Sequence, residues 1–453
     1  VPSHWNVARL RSSVESCRNG LWGSDPDGVH DVLCVRVADF DRFNLQVRPH
    51  IPTRRAVTST ERAGRLLQPT DLLLERSGGG DLQPVGVVVS YDRERGSAVC
   101  SNFVARMIPA RGFEPRYLAY LHATLYAHGI NRLSIKQTTG IQNLDAKSYL
   151  WEQVAFPPLD EQTAIVRFLA ALDRRVNRFV RAKRRLIELL NEQKQAIITH
   201  AVTRGLDPTA KLKPSGIDWL GDVPEHWVTT SIKRLSTTWC DGPFGSGLKS
   251  SHYVDAGIRV IRLQNIGFGA FRDGDAAYIS ESHYATLGDH SVTAGDVLIA
   301  GLGDEKILPG RACVAPPDVA PAMVKADCFR FRVRTDRLLP QFAALQLSAT
   351  ARAATAVLSA GATRQRINLS ATASRPVSFP PSLEEQAEIV ACIAASIARL
   401  DEAVCNANRE IALIREYRTR LVADLVTGKL DVRAAAEQLP DEPDATADAS
   451  EVD

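Results

Sequence analysis

The order of hydrophobic and polar residues divides the chain into two kinds of segment. Residues 1–155 and 214–378 contain short apolar runs separated by glycine, proline and aspartate, a pattern typical of strands and turns. The runs VLCVRVADF, DLLLE, VGVVVS and VIRLQNI predict strands, whereas YLAYLHATLYA and QFAALQLSATARAATAVL predict helices. We therefore expect each region to be a mixed α/β globular domain.

Two further segments, 156–213 and 379–433, place apolar residues at steps of four and three, the heptad pattern of a coiled coil. Each arm begins after a Pro-Pro pair with acids in its first turn and ends near a glycine, Gly205 or Gly428. Because a lone helix would expose its apolar seam to water, we expect the two arms to pair within the chain. The predicted seam residues are Leu169, Val176, Val180, Ile187, Leu190 and Ile197 in the first arm and Ile393, Ile397, Leu400, Val404, Ile411, Ile414, Leu421 and Leu425 in the second.

Charged residues interrupt both predicted seams. Lys194 and Arg418 occupy aligned positions in the two arms, and Asp173 and Lys183 further weaken the first seam. The two aligned basic residues either help to fix the register of the helices or are solvated defects.

The two halves of the chain repeat each other. FPPLDEQTAIV, which starts at Phe156, returns as FPPSLEEQAEIV at Phe379, and VPSHW at Val1 returns as VPEHW at Val223. Further matches occur in the same order, including NGLWGS with DGPFGS, CVRVADF with VIRLQNI, and NLDAKSYL with NLSATA. The period is far too long for a solenoid, so one domain-plus-helix unit occurs twice. This pseudo-two-fold arrangement predicts an α+β fold in which an intramolecular antiparallel coiled coil joins two similar domains at its opposite ends.

The composition is that of a globular protein with more than one domain. The 453 residues include 24% charged residues and have a net charge of +3. Residues 434–453 carry acids but no lysine or arginine and are expected to form a disordered tail. Eight scattered cysteines, and the lack of an apolar run near the roughly 18 residues of a membrane span, predict a cytoplasmic protein with reduced thiols. VPSHW lacks the residues that precede VPEHW, so we expect a few residues before Val1.

Known catalytic motifs are missing from the sequence or incomplete. DGPFGSGLKSS resembles a phosphate-binding loop, but Leu248 separates the glycine from Lys249, so a glycine-rich turn is the favoured interpretation. Asp296 with the Asp304-Glu305-Lys306 group loosely resembles a nuclease site, but the first copy has no equivalent. Neither a zinc-type histidine spacing nor G-x-S-x-G occurs in the sequence. We therefore predict no catalytic residue, no metal site and no cofactor bound by this chain.

The remaining polar residues include types that suit contacts with DNA. The first arm is rich in arginine and lysine between Arg174 and Arg185, which indicates phosphate contact, contact with a subunit that holds DNA, or a solvated helix face. Arginine and lysine match guanine edges, and asparagine and glutamine match adenine edges. Each candidate is alternatively an ordinary surface or turn residue. The candidates are Arg36, Lys136, Gln137, Gln142, Asn143, Lys249, Gln264, Asn265, Arg364, Gln365, Arg366 and Asn368.

Taken together, the motifs resemble the specificity subunits of type I restriction-modification systems. The resemblance rests on VPEHW before a domain, DGPFGSGLKSSHYVDAGIRVIRLQNI inside it, FPPSLEEQAEIV at the start of a long helix and LVTGKLDVR at its end. It implies that each globular part is a target recognition domain for one half of a split DNA sequence, and that the paired helices dock methyltransferase subunits. It also implies that S-adenosylmethionine, ATP and Mg are bound by methyltransferase and restriction subunits, and that this chain is itself non-catalytic.

Three alternatives stay open at the level of sequence: a self-contained restriction or modification enzyme, a coiled-coil scaffold without a DNA role, and the recognition subunit of a standalone methylation complex. The two copies differ where ADF aligns with QNI and TGIQNL with RQRINL, which predicts two different half-sites. Half-sites about one helical turn apart, roughly 34 Å, lie on the same face of a duplex. The coiled coil is therefore expected to set the length of an unrecognised spacer.

Overall fold

The computed structural model describes residues 1–92, 98–138, 140–303, 308–358 and 366–439. The candidates Arg364 and Gln365, the acidic group at 304–306 and most of the predicted tail, 440–453, lie outside the described residues.

The chain divides into two compact units. Unit 1 comprises Val1–Lys183 and Asn408–Asp453, and unit 2 comprises Arg184–Ala407. Each unit therefore contains one globular region together with a part of both predicted arms.

Unit 1 begins with short strands and helices and leads into the first long helix. Its strands are β1 (Asn6–Arg9), β2 (Val14–Asn19), β3 (Asp31–Val35), β4 (Phe40–Asp41), β5 (Gln46–Val47), β6 (Arg54–Ala56), β7 (Asp71–Glu75), β8 (Ser77–Gly78), β9 (Val88–Tyr91), β10 (Ala98–Cys100), β11 (Val104–Pro109), β12 (Ile135–Thr138), β13 (Ile141–Leu144) and β14 (Gln153–Phe156). Its helices are α1 (Ser59–Arg62), α2 (Pro115–Ala127), α3 (Ala146–Tyr149) and α4 (Leu159–Arg204), which continues into unit 2.

The sheets of unit 1 surround the fully buried strand β7. A six-stranded sheet has the order β2–β11–β7–β9–β5–β4, and two three-stranded sheets have the orders β10–β3–β6 and β12–β13–β8. Strands β1 and β14 form a separate antiparallel pair that ends at the start of α4. All five residues of β7 are buried: its three leucines form an apolar run in the middle of the sheet, and the acids at its ends, Asp71 and Glu75, pair with Arg106 and Arg42.

Unit 2 repeats this architecture and leads into the second long helix. Its strands are β15 (Leu212–Pro214), β16 (Asp222–Pro224), β17 (Val228–Ser231), β18 (Ser236–Cys240), β19 (Tyr253–Val254), β20 (Ile258–Ile261), β21 (Tyr278–Ile279), β22 (Ser291–Val292), β23 (Val297–Ala300), β24 (Ala312–Val314), β25 (Ala322–Val324), β26 (Cys328–Val333) and β27 (Pro376–Phe379). Its helices are α5 (Glu281–Tyr284), α6 (Pro340–Ala349), α7 (Ala351–Leu358), α8 (Leu369–Ala373) and α9 (Leu383–Val426), after which α10 (Arg433–Glu437) lies in unit 1.

The sheet order shows that the two globular regions are copies of one fold. The pair β17–β27 corresponds to β1–β14, and the order β18–β26–β23–β24 corresponds to β2–β11–β7–β9. Each copy also contains an equivalent parallel pair, β3 with β10 in unit 1 and β20 with β25 in unit 2, and unit 1 has a further parallel contact between β5 and β9. The predicted α+β fold with two pseudo-symmetric domains is confirmed.

The predicted alignment of NLDAKSYL with NLSATA is wrong by two residues. Asp145 caps α3 and Asn368 caps α8, each through a side-chain oxygen that accepts backbone N–H bonds. The Leu144 N–H donates to the Arg76 carbonyl just as the Ile367 N–H donates to Gly301 in unit 2. Asn143 therefore corresponds to Arg366 rather than to Asn368.

The long helices pair antiparallel within each unit. In unit 1, Arg418 of α9 donates to both oxygens of Asp173 in α4 at 2.5 and 2.9 Å, and Lys183 lies 2.6 Å from Glu410. In unit 2, Lys194 pairs with Asp401. Both aligned basic residues therefore have an acid on the opposite helix, which supports the interpretation that they fix the register.

The predicted seam residues turn away from water. Leu169, Val176, Val180, Ile393, Ile411 and Leu425 are buried, and Ile187, Leu190, Ile197, Ile397, Leu400, Val404, Ile414 and Leu421 are half-buried. The same helices complete the cores of the units. In unit 1 the start of α4 and the end of α9 pack against α2, and in unit 2 the end of α4 and the start of α9 pack against α6.

Hydrogen bonds explain the sequence motif that is repeated at the start of each long helix. The Trp5 indole N–H donates to Glu161 at 3.1 Å, and the Trp227 indole N–H donates to Glu385 at the same distance. In the first copy the next residue, Gln162, accepts an N–H bond from Glu114 at 3.0 Å and donates to the Pro157 carbonyl at 2.9 Å.

The second copy uses Gln386 in the same way, accepting from Leu339 at 2.7 Å and donating to Pro380 at 2.9 Å. The Glu-Gln pair thus fastens each helix to its own globular region.

Candidate nucleic-acid interface

Several predicted candidates meet in a small hairpin of unit 1. Strands β12 and β13 place Lys136 opposite Asn143 and Gln137 opposite Gln142, and β13 also pairs with β8. Lys136 and Gln137 are exposed, and the Lys136 ammonium lies 2.8 Å from Asp145, whose pKa it holds below the usual range. Both residues can reach a ligand without rearrangement.

Gln142 and Asn143 are instead held by the fold. Gln142 is buried and its side-chain oxygen accepts the Val85 N–H at 3.3 Å. The Asn143 oxygen accepts the Ser77 hydroxyl at 2.6 Å, while the residue keeps partial exposure.

A pocket of about 680 Å³ beside this hairpin has a strongly positive lining. We call it the basic pocket; its charged lining residues are Arg11, Arg76, Lys136, Lys147 and Asp145. Backbone carbonyls hold the two guanidinium groups: Arg76 donates to Leu144 at 3.3 and 3.4 Å, and Arg11 donates to Glu15 at 3.3 Å. Because carbonyls carry no net charge, four cations face a single acid, and an anion is the favoured ligand.

A second opening of about 520 Å³ is lined by residues of the β8–β13 pair, including Ser77 and Ile141. We call it the apolar crevice; Trp22, Phe103 and Ile141 form its walls together with Arg36. The three apolar side chains belong to residues that are 39%, 45% and 49% exposed. Ser77 of the crevice is hydrogen-bonded to Asn143 of the basic pocket, so the two openings are neighbours.

The charges at the edge of the apolar crevice are largely tied down. Glu75 is buried and accepts two bonds from Arg42 at 2.9 and 3.0 Å, and burial raises its pKa. The Arg36 backbone N–H donates to Asp39 at 2.8 Å, and the Arg36 Nε lies 3.6 Å from the same carboxylate. The crevice therefore presents mainly apolar surface.

In unit 2 the exposed candidates are scattered. Lys249 is exposed before a single turn at Ser250–His252, and its backbone N–H donates to the His252 ring at 3.2 Å. Gln264 is exposed and donates to Asp275 at 2.6 Å, which lowers the pKa of that carboxyl. A third exposed candidate, Asn368, caps α8 by accepting the Ala371 N–H at 2.8 Å.

Asn265 differs from the exposed candidates of unit 2 because its side chain is fully buried. Its oxygen accepts the Arg262 N–H at 2.9 Å, and its amide donates to the carbonyls of Arg272 and Gly274 at 2.9 and 3.1 Å. It could contact a base only if this loop rearranged.

Arg366 is the candidate of unit 2 with the most developed surroundings. Its Nε donates to Asp327 at 2.8 Å, and its guanidinium lies 5.6 Å from the centre of the exposed Phe244 ring. Asp241 accepts the Asp327 N–H at 2.9 Å, and burial raises the pKa of Asp241 to about 6.

The same structural frame holds different residues in the two units. Gly20 and Gly242 lie against backbone carbonyls at the same place in their respective units. Trp22 and Phe244, each two residues after its glycine, therefore correspond to each other. The carbonyls of Phe103 and Asp327 accept equivalent N–H bonds, from Arg76 and Gly301.

Trp22, Phe103 and Ile141 are functional candidates of the structure that are absent from the residues predicted from the sequence. An aromatic residue at the same place in NGLWGS and DGPFGS was the available signal for Trp22.

The acidic residue considered for a nuclease site has a structural role. Asp296 is buried, accepts the Thr293 N–H at 2.8 Å and pairs with Arg332 at 2.9 Å. Within the described ranges, no group of three or more histidine, cysteine and acidic residues could hold a metal ion. No helix in the described part of the chain is long and apolar enough to cross a membrane.

Comparison with known proteins gives a consistent result. The MjaVIII type I restriction enzyme specificity subunit of Methanocaldococcus jannaschii is 23% identical over 298 residues, 65% of this chain and 66% of that protein. A second protein of the same organism, which carries the name of the MjaX specificity subunit, is 21% identical over 440 residues, 96% of this chain and 95% of its own length. The chain is similar to type I restriction enzyme specificity subunits. The resemblance inferred from the repeated motifs is thus confirmed.

One solved structure shares the fold. A chain from a structure on complex assembly and conformational transition of the type I R-M system matches with a TM-score of 0.66 and 16% identity, over 95% of this chain and 99% of that one. The HsdS subunit from Thermoanaerobacter tengcongensis reaches a TM-score of 0.48 at 17% identity over 95% of this chain and 98% of that one, too low to carry an argument. No family model matches the chain.

Proposed function

We propose that this chain is the DNA specificity subunit of a type I restriction-modification complex. Each unit recognises one half of a bipartite target, and the bases between the half-sites are not recognised. The observation that carries the proposal is the duplicated frame with different residues at equivalent positions: Trp22, Phe103 and Asn143 in unit 1 correspond to Phe244, Asp327 and Arg366 in unit 2. Recognition of two different half-sites by two copies of one fold requires different side chains at equivalent positions.

The charge of unit 1 supports nucleic acid as the ligand. The basic pocket offers Arg11, Arg76, Lys136 and Lys147, which suit phosphate oxygens. Arg174, Arg175, Arg178, Arg181, Arg184 and Arg185 of α4 are exposed as well. Phosphate contacts of this kind fix the position of a protein on DNA, and base contacts provide its specificity.

The long helices are proposed to dock methyltransferase subunits. They carry apolar side chains that face water, namely Phe179, Leu413 and Tyr417 in unit 1 and Leu186 and Leu189 in unit 2. Exposed apolar residues that recur along one element favour contact with another protein. We place S-adenosylmethionine on those methyltransferase subunits and ATP and Mg on restriction subunits, so that this chain recognises DNA without catalysing a reaction. Its place of action is then the cytoplasm, where the chromosome is.

The proposal is tested by sequencing the methylated bases of the source cell with and without this gene. We expect one modified motif with a gap of unspecified bases, and we expect it to disappear on deletion. Complementation with Arg366→Ala should alter one half of the motif, whereas Arg420→Ala, an exposed change on α9, should restore the original motif. An unchanged methylation pattern after deletion would reject the proposal.

A biochemical test separates the alternatives. The purified chain is incubated with labelled S-adenosylmethionine and DNA, alone and with methyltransferase subunits. Methyl transfer by the chain alone would favour a self-contained enzyme. Failure of the assembled complex to shift any DNA in a gel would favour a scaffold.

A further inference from the structure

The apolar crevice of unit 1 has a shape and chemistry that suit one particular base. Trp22, Phe103 and Ile141 expose apolar surface around an opening of about 520 Å³. The Trp22 ring is fixed in place because Arg55 lies over it at 4.6 Å and is itself paired with Asp25 at 2.6 Å. A rigid apolar wall of this kind is pre-organised for a small apolar group.

The positive charge of the neighbouring basic pocket indicates which ligand the apolar crevice binds. The basic pocket adjoins it through the Ser77–Asn143 hydrogen bond, so a strand whose phosphates lie in the basic pocket brings its bases to the crevice. In the major groove, the apolar feature that a base offers is the C5 methyl group of thymine. The acid of the crevice, Glu75, is buried and paired with Arg42, so it does not repel the approaching strand.

We propose that the apolar crevice formed by Trp22, Phe103 and Ile141 receives the C5 methyl group of a thymine in the half-site recognised by unit 1. This inference rests on the proposed function and specifies which side chains and which base feature determine specificity. In unit 2, Phe244 and Asp327 replace Trp22 and Phe103. Arg366, the counterpart of Asn143, pairs with Asp327 and contacts the Phe244 ring, so the same place is polar. Unit 2 therefore does not use a thymine methyl group at this place.

The test removes only the methyl group. The wild-type complex with its methyltransferase subunits is titrated with duplexes of its own target, in which each thymine of both half-sites is replaced singly by deoxyuridine. Burial of one methyl group accounts for a roughly fourfold change in affinity. We expect a roughly fourfold loss at one thymine of one half-site.

The variants Phe103→Ala and Ile141→Ala link this loss to the crevice. Both residues are about half exposed, so we expect the variants to fold, which thermal unfolding checks. In each variant the penalty for deoxyuridine at that thymine should shrink towards onefold while other positions stay unchanged. Leu133→Ala is the matched control, because Leu133 is a 73% exposed apolar residue of unit 1 outside the crevice, and it should keep the full penalty.

Several results would overturn the inference while leaving the proposed function intact. One is that the crevice variants change specificity at a half-site that contains no thymine in either strand. Another is that deoxyuridine replaces every thymine without loss of affinity. The third is a deoxyuridine penalty that is the same in wild type and in the crevice variants. Loss of methyltransferase binding by Phe103→Ala with unchanged base preference would assign the crevice to a protein partner instead. Absence of any sequence-specific binding by the wild-type complex would reject the proposed function and this inference together.

Discussion

The buried ion pair between the long helices in unit 1 allows a quantitative prediction. The carboxylate of Asp173 accepts two bonds from Arg418 and a third from the Tyr120 hydroxyl at 2.8 Å. Asp173 and Arg418 are only 8% and 5% exposed, so water cannot replace a lost partner. Asp173→Ala leaves a buried guanidinium without its counter-ion, a change that costs about 3–5 kcal/mol.

The surroundings of Arg418 place the expected loss of stability near the lower end of this range. Its guanidinium also lies 4.5 Å from the centre of the Phe43 ring, and this cation–π contact survives the substitution. We therefore expect Asp173→Ala to lower the free energy of unfolding by about 3 kcal/mol. Urea titration followed by far-ultraviolet circular dichroism, which reports the long helices, measures this loss.

Two controls decide whether charge burial is the cause. Arg420→Ala removes an exposed arginine of the same helix that pairs only with Glu416 of its own helix among the described residues, so it should cost less than about 1 kcal/mol. The triple variant Tyr120→Phe, Asp173→Leu and Arg418→Met replaces the whole polar cluster by apolar groups and should stay within about 1 kcal/mol of wild type. A triple variant as unstable as Asp173→Ala, or a loss below about 1 kcal/mol for Asp173→Ala, would refute this reasoning.

Four further predictions follow from the contacts and the proposed function. Glu161→Ala removes the acceptor of the Trp5 indole and should cost about 2 kcal/mol in urea unfolding, with a smaller loss for the more exposed Glu385. The pKa of Asp241 is raised to about 6, above its unfolded value of about 4, so the folded chain binds this proton more tightly and unit 2 loses stability as pH rises between these values. Asp241→Asn keeps the accepting oxygen, so in thermal unfolding its stability should equal that of wild type near pH 4 and exceed it by about 1 kcal/mol near neutral pH. Equal stability of variant and wild type at both pH values would contradict this prediction. Lys147→Ala should reduce the slope of log affinity against log salt concentration by about 0.9 without changing base preference, as measured by titration of the assembled complex. Insertion of about two helical turns at matched places in α4 and α9 should lengthen the spacer in DNA footprints, and altered half-site bases would contradict that idea.

The sequence predicted the features that depend on periodicity and repetition. Heptad spacing identified both long helices and residues such as Leu169 and Leu425 that turn out to be buried, because an apolar stripe must find a partner. The ordered repeat predicted two copies of one domain, which the equivalent sheet orders confirm.

Side-chain roles at strand and helix ends were much less predictable. Asn265 and Asn368 have the residue type and location expected of base contacts, yet the structure uses both for backbone hydrogen bonds. Short polar side chains compete for both tasks, and their sequence context is the same. Asp173 was interpreted as a weakness of the seam because its partner Arg418 is more than two hundred residues away.

The make-up of unit 1 from both termini has a consequence for biosynthesis. Its core needs Val422 and Leu425 from α9, which leave the ribosome only after all of unit 2 has been made. Unit 2 is continuous, from Arg184 to Ala407, and can close while the chain is still growing. Residues Val1–Lys183 are therefore translated before unit 2 but find all their partners after it, and a chain that terminates within unit 2 leaves unit 1 incomplete.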